Sequence, residues 1–215
     1  MIKKYVNYLK TLRNQRKDIP EDYPFVMYPE EKILLQKYLL SAKNYLEFGT
    51  GGSTIFSLIH STVQIISVDT NMPWISFIKK YKIIRNNLGK RLRIHFVDIG
   101  ATKNWGFPVN LDSKEKFPAF SKEIFTKINP KEIDLILIDG RFRVACTLQA
   151  ILNCRENKDL KILIHDYSLR EDYKIVEEFL DILEKEKTLF VFKINENADD
   201  EEVAELYEKY KYIAD

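Results

Sequence analysis

Tyr45-Leu46-Glu47-Phe48-Gly49-Thr50-Gly51-Gly52-Ser53-Thr54 decides how the rest of the chain is read. Tyr45 to Phe48 has the character of the end of a buried strand. Gly49 to Gly52 is a turn that only small residues allow. Ser53 and Thr54 then cap a helix that continues through Ile55, Phe56, Leu58 and Ile59. Strand, glycine turn and helix N-terminus, in that order, open a nucleotide-type site in a doubly wound α/β fold. Glycines serve there because a Cβ would block the approach of a ligand to the backbone, and because some turn positions take positive φ. The dinucleotide fingerprint asks for glycine at its first, third and sixth positions. Gly49 and Gly51 supply two, but Thr54 stands at the sixth, which counts against a nicotinamide-dependent oxidoreductase.

Four further strands follow, and each ends in acid. Gln64 to Val68 runs into Asp69, Arg93 to Val97 into Asp98, Ile133 to Ile138 into Asp139, and Lys161 to Ile164 into His165-Asp166. Ligands of open α/β sheets bind at the carboxyl ends of the strands. A purely structural sheet has no need to crowd carboxylates on one edge. Asp69 follows Glu47 at close to the roughly 20-residue offset at which an acidic residue reaches ribose hydroxyls. A carboxylate suits a vicinal diol because it accepts from both hydroxyls.

Glu47-Phe48-Gly49-Thr50-Gly51 resembles the acidic-x-Gly-x-Gly motif of class I S-adenosylmethionine-dependent methyltransferases. The resemblance covers roughly residues 25–195. It implies an α/β Rossmann-like, mostly parallel sheet with helices on both faces. It also implies S-adenosylmethionine as cofactor, with Glu47 meeting its ammonium group and Gly49, Thr50, Gly51, Gly52 and Ser53 forming the turn. Asp69 would hold the ribose, and Asp98 with Ile99 the adenine. Trp105, in the long Gly100–Asn129 segment, would stack on the adenine or close the site, and Asp139 would border the cofactor.

Beyond the fourth and fifth strand ends lie the candidate acceptor groups. His165 is a candidate general base, since its ordinary pKa lies near neutrality and a neighbouring carboxylate can orient it. Asp139 and Asp166 are its catalytic companions. Arg141 and Arg143 could clamp an acidic acceptor or else pair with Asp139, Asp166 or Glu156. Tyr167 and Tyr28 are further substrate contacts. Amino-directed methyltransferases place Asn/Asp-Pro-Pro-Tyr/Phe after the fourth strand. Asp139-Gly140-Arg141-Phe142 departs from that, so an oxygen acceptor is expected. Catechol-type O-methyltransferases hold magnesium with an aspartate after the fourth strand and Asp-Asn after the fifth. Asp139 and Asp166 match two of these ligands, but Tyr167 replaces the third, so no divalent metal is expected. The run Ile138 to Arg143 with His165-Asp166 is similar to a group of uncharacterised bacterial methyltransferase-like proteins, some suspected in surface-glycan modification. The expected acceptor is accordingly a small molecule or glycan. A non-catalytic cofactor-binding or scaffold protein with the same fold is the alternative.

The chain of 215 residues suffices for one domain with a sizeable core. Residues 1–41 are read as an N-terminal helical extension, 42–195 as the Rossmann-like core and 196–215 as an acidic C-terminal segment, whose run from Glu196 to Glu208 reads as a loop plus a short helix at a solvated edge. Within the extension, residues 1–17 read as an amphipathic helix with a basic face, and a helix runs from Pro29 to Leu40. Trp74 to Leu88 reads as one helix, another starts near Ser121, and 171–186 reads as helical. Only one closing strand, Thr188 to Ile194, is read where the family has two, so the C-terminal strand pair is expected to be incomplete. A net charge of +2 gives no global field for nucleic acid, and none is expected as a partner. No apolar run approaches the roughly 18 residues of a membrane span. The N-terminus lacks the pattern of a signal peptide, and the two cysteines, Cys146 and Cys154, are not spaced for zinc. A cytoplasmic setting is the simplest reading.

Overall fold

The computed structural model describes residues 18–215; the expected helix over 1–17 lies outside them. A seven-stranded sheet has the order β3-β2-β1-β4-β5-β7-β6. Its strands are β1 (Asn44–Phe48), β2 (Gln64–Asp69), β3 (Leu92–Phe96), β4 (Leu135–Ile138), β5 (Lys161–Ile164), β6 (Leu180–Glu186) and β7 (Leu189–Ile194). β1 to β5 run parallel, with Phe48 in register with Val68 on one side and Ile138 on the other. β7 is antiparallel to β5, and β6 is antiparallel to β7. The order reverses between β1 and β4, which makes their carboxyl ends the switch point where such sheets bind ligands.

Strand alternation divides the core into two clusters. Leu46, Phe48, Ile136, Ile138, Ile162 and Ile164 face one side. Tyr45, Ile65, Leu135, Leu137 and Leu163 face the other. The second face carries helices α1 (Pro29–Ser41), α2 (Gly52–His60), α3 (Met72–Ile78) and α4 (Lys82–Asn87) through Leu35, Ile55, Ile78 and Ile84. The first carries α5 (Pro118–Lys122), α6 (Arg143–Cys154) and α7 (Asp200–Tyr210) through Phe120, Leu148 and Val203. Burial on both faces explains why the parallel strands read as continuous apolar runs.

Five expectations are corrected. The stretch 171–186 is not a helix: 3-10 turns over Glu171–Glu178 lead into β6. The closing strand pair is therefore complete. β6 escapes recognition because it is an edge strand. Its charges (Asp181, Glu184, Lys185, Glu186) resemble a solvated helix face, and such charges are what guard an exposed edge against pairing with another chain. The expected helix Trp74 to Leu88 is two short ones, with Arg85 Nη1 donating to the carbonyl of Lys79 in the break (3.2 Å). The expected helix near Ser121 amounts to Pro118–Lys122. The acidic C-terminal stretch is no merely solvated edge. Asp199 caps α7, and Val203 and Tyr207 are buried.

Pro24-Phe25 crosses directly over the start of α2. A Cβ on Gly52 would lie 2.3 Å from the carbonyl oxygen of Pro24 and 2.5 Å from Phe25 Cα. Gly52→Ala is therefore expected to destabilise the protein by about 1–3 kcal/mol, as overpacking does. Urea unfolding checks this; a variant as stable as wild type would mean that the crossing segment does not seat there.

Candidate functional site

The glycine turn is organised by two buried carboxylates. Glu47 is fully buried at the end of β1. Its Oε2 accepts from Tyr45 (2.9 Å) and Ser53 (2.8 Å), and its Oε1 accepts from the Thr54 hydroxyl. Thr54 in turn accepts from the Gly51 amide (2.9 Å). Burial with no cation alongside drives the Glu47 carboxyl up to about 7, against the four hydroxyls around it. Glu47 thus spends its oxygens on the turn and on the first residues of α2. Asp69 ends β2 in the same place. Its Oδ2 accepts from the Thr50 amide (2.9 Å) and its Oδ1 from the Asn71 amide (2.8 Å). Burial raises it to about 6, partly offset by these amides. A carboxylate has four lone-pair sites, more than these backbone amides fill, so Asp69 retains capacity for a ligand hydroxyl.

The turn is gripped from both sides. Gly49 takes φ +108°, and a Cβ there would press on the backbone of Asp139 and Gly140 at 3.1–3.2 Å. Trp74, on α3, donates its indole N–H to the carbonyl of Thr50 (2.6 Å). Beyond β3, Asp98 is exposed and pairs with Lys116 (2.8 Å), while Ile99 is buried in the core rather than turned toward a ligand. Trp105, in the left-handed region at φ 62°, is 76% exposed. It tips a loop closed by the Thr102–Pro108 bridge. That loop docks through Asn71 Nδ2 to Thr102 (3.1 Å), and its Gly106 lies against Thr70 and Arg141. Glu47, the glycine turn and Asp69 thus gather at the β1 and β2 ends, and the loop that carries the exposed Trp105 docks beside Thr70 and Asn71.

The second group sits beyond β4 and β5. His165 Nδ1 meets Asp139 Oδ1 at 2.8 Å, and its Nε2 meets Glu31 Oε2 at 3.2 Å. Burial alone would lower this imidazole. The Asp139 hydrogen bond and the charges of Asp139, Asp166 and Glu31 win, raising it to about 9. At neutral pH it is an imidazolium with both N–H groups held by carboxylates, and it has no lone pair with which to take a proton. Arg143 opens α6 and is almost fully buried. Its Nη2 lies 3.0 Å from Asp166 Oδ2 and 3.5 Å from Asp139 Oδ1. Its Nε donates to the Gly140 carbonyl (3.0 Å) and its Nη1 to that of His165. It is therefore committed within the protein rather than free to clamp an acceptor. Phe142 and Asp166 take left-handed backbone (φ 55° and 57°), a sparsely populated conformation that clusters at functional sites.

Arg141 stacks on Phe107 (4.2 Å to the ring centre) and donates Nη1 to the backbone oxygen of Asp215 (2.7 Å). Its Nε is buried without a partner among the described residues. Tyr167 is buried, bonded to Glu177 (2.8 Å) and packed against Phe190 and Phe192. It belongs to the core under β7, not to an acceptor surface. Tyr28 precedes α1 with its side chain largely exposed, and its backbone amide donates to Glu31 Oε2 (2.9 Å).

Three participants had no local signal in the sequence. Glu31 reads there only as an acid in the first turn of a helix; tertiary packing buries it against His165 and Thr188. Trp74 reads as a helix residue. Asp215, whose Oδ1 accepts from the Arg143 amide (2.8 Å), caps α6 from far along the chain.

The ligand atoms of Asp139, His165 and Asp166 lie within 4.8 Å of one another, close enough to converge on one ion. All three are already engaged, however: Asp139 Oδ1 with His165 and Arg143, and Asp166 Oδ2 with Arg143. These residues do not fit a resident divalent cation as they stand.

Neither a family model nor a curated protein sequence matches the chain. Solved structures do. A methyltransferase-like protein from Silicibacter pomeroyi superposes with TM-score 0.77 at 25% identity, over 89% of this chain and 98% of that one. An O-methyltransferase from Bacillus cereus, in complex with S-adenosylhomocysteine, superposes with TM-score 0.52 at 16% identity, over 87% and 90%. No helix among the described residues is long and apolar enough to cross a membrane.

The His165 network sets a pH dependence. A histidine raised from about 6.5 to about 9 contributes stability that is fully present below 6.5 and lost as pH rises through 9. The loss is roughly 3 kcal/mol. Between pH 7 and 9, above the range where Glu47 titrates, the unfolding free energy should fall in wild type, and this part of the fall should be largely absent in His165→Gln. A ring proton titrating near 6.5 by NMR would contradict it.

Proposed function

We propose that this chain, which carries the fold of the class I S-adenosylmethionine-dependent methyltransferases, transfers a methyl group to an oxygen of a small-molecule or glycan acceptor. The observation that carries this reading is Asp69. It ends β2 beside the glycine turn, one strand from the β1–β4 switch point, with acceptor capacity left over for a ribose hydroxyl. The turn from Gly49 to Ser53 bounds the cofactor position, and Asp98 and Trp105 border its far end. Glu47 acts indirectly, holding Ser53, Thr54 and hence Gly51 in place. S-adenosylmethionine bound there would supply an electrophilic sulfonium methyl.

On the acceptor side, proton removal falls to Asp139 and Asp166, because the His165 ring is already protonated. His165 and Arg143 fix the position of these two carboxylates at the ends of β4 and β5. Arg141, with a buried unpartnered Nε beside the Trp105 loop, supports an acidic acceptor, since a carboxylate or phosphate oxygen would satisfy that donor. A second reading, cofactor binding without transfer, is favoured by one observation: the acidic and basic groups of the acceptor side satisfy one another.

Calorimetric titration with S-adenosylhomocysteine tests the cofactor site. Saturable binding is expected. Asp69→Asn should weaken it by about 10- to 100-fold, the worth of hydrogen bonds to a charged group. Glu47→Gln should weaken it less. Since Asp69 is ionised only above about 6, wild-type affinity should rise as pH passes upward through 6, and this step should be missing in Asp69→Asn. A folded wild type that binds no S-adenosylhomocysteine at pH 7.5 sinks the reading. Consumption of S-adenosylmethionine with acidic glycans or hydroxy acids would then separate transfer from binding alone.

A further inference from the structure

Asp139, His165 and Asp166 gather donor atoms from the ends of two neighbouring strands into a space one ion could span. Something cationic already fills the gap. The Arg143 guanidinium bridges the two aspartates through a single nitrogen, at 3.5 and 3.0 Å. It is locked from behind by the carbonyls of Gly140 and His165, and it lies 5.9 Å from the Tyr173 ring. From the geometry we infer that Arg143 stands in for a divalent cation at the Asp139–Asp166 pair, so that the site works without metal.

The physical argument turns on what an incoming ion would have to do. Magnesium needs oxygen ligands at about 2.0–2.1 Å in near-octahedral array. To take Asp139 Oδ1 and Asp166 Oδ2 it would have to strip them from a side chain that is 3% exposed, and on the other two oxygens it would sit beside that side chain's fixed positive charge. That side chain cannot lose its charge. A buried guanidinium left without its carboxylates is strongly destabilising. It is held by four groups at the ends of the same two strands, the carbonyls of Gly140 and His165 and the carboxylates of Asp139 and Asp166. His165 takes up the same Asp139 Oδ1 at 2.8 Å and, with both ring nitrogens facing carboxylates, offers an ion no donor. A guanidinium also does something a metal would not. It starts α6 and grips the β5 end at once, so the spacing between the β4 and β5 loops is set by covalent structure rather than by ion concentration. Arg143 is thus a positioning residue: its own hydrogen bonds go to protein groups, and it acts through the two aspartates.

The inference bears on the acceptor side of the proposed function, but its test is independent of that function. Chelator-treated full-length protein is titrated with Mn²⁺, following the free-ion signal by electron paramagnetic resonance. Wild type should take up no Mn²⁺ through the millimolar range. Arg143→Met should bind about one ion at least about tenfold more tightly than wild type, a gain of 1.4 kcal/mol or more. Adding Asp166→Asn should abolish that gain. Mg²⁺ should raise the melting temperature of Arg143→Met and leave wild type unmoved, a rescue that a merely space-filling arginine would not give. Saturable Mn²⁺ uptake by wild type that Asp166→Asn removes would overturn the inference. So would a folded Arg143→Met that takes up none. Should Arg143→Met fail to fold, the wild-type and Asp166→Asn titrations decide alone. Failure of S-adenosylhomocysteine to bind in the same samples would sink the proposed function and leave this inference standing.

Discussion

A buried acid without a counter-ion is the constraint on which this structure rests. Glu47 is taken out of water at the centre of the sheet, and it tolerates that only because Tyr45, Ser53 and Thr54 all donate to it. Those hydroxyls come from one strand and the first turn of one helix, so satisfying the acid fixes the angle between β1 and α2. The glycine turn has no freedom left once both ends are set. Asp69 then pins the same turn from the neighbouring strand through the Thr50 amide. Two buried carboxylates of adjacent strands thus divide the labour. Glu47 builds the turn, and Asp69 braces it while accepting fewer hydrogen bonds than its four lone pairs allow.

The other half of the crevice follows a different logic. There acids and bases are matched rather than isolated. Glu31, Asp139 and Asp166 surround His165 and Arg143, and nearly every polar atom of the two cations has a protein partner. Such a network is stiff, because removing any member strands another as an unpaired buried charge. It also keeps the strand ends of β4 and β5 at a fixed separation, which is what an acceptor presented to a neighbouring cofactor requires. The contrast makes chemical sense: the cofactor side offers open lone pairs, whereas the acceptor side offers a rigid, pre-neutralised wall with Arg141 at its rim.

Much of this was legible in the sequence where local pattern and tertiary role coincide. Strand β1, the turn and α2 are contiguous, and their spacing alone places Glu47 and Ser53 together. The acids at the ends of β2, β4 and β5 could be placed on one edge because parallel strands buried on both faces announce themselves as apolar runs. What could not be read depends on partners far along the chain. β6 looks like a helix face because an edge strand has the same charge content. Ile99 and Tyr167 occupy the positions the family pattern assigns to ligand contacts, yet their side chains pack inward. The ordinary pKa of histidine points to His165 as a base, and only the approach of Glu31 and Asp139, which raises it to about 9, argues against that role. Nothing near Glu31 in the sequence foretells that approach.

Glu31 joins parts of the chain that are made at very different times. Its Oε1 accepts from both the amide and the hydroxyl of Thr188, in the turn between β6 and β7, a residue 157 positions downstream. Its Oε2 reaches His165, 134 positions away. A ribosome therefore releases the whole cofactor-side half, with its short-range contacts, long before the acid on α1 can find its partners. Contacts of such separation are slow to form and are the last to reward the entropy spent in closing the loop. The order of assembly is written into this one side chain. The turn around Glu47 can condense early and locally, while the wall around His165 waits, with a bare carboxylate on its first helix, for the final hairpin to arrive and close over it.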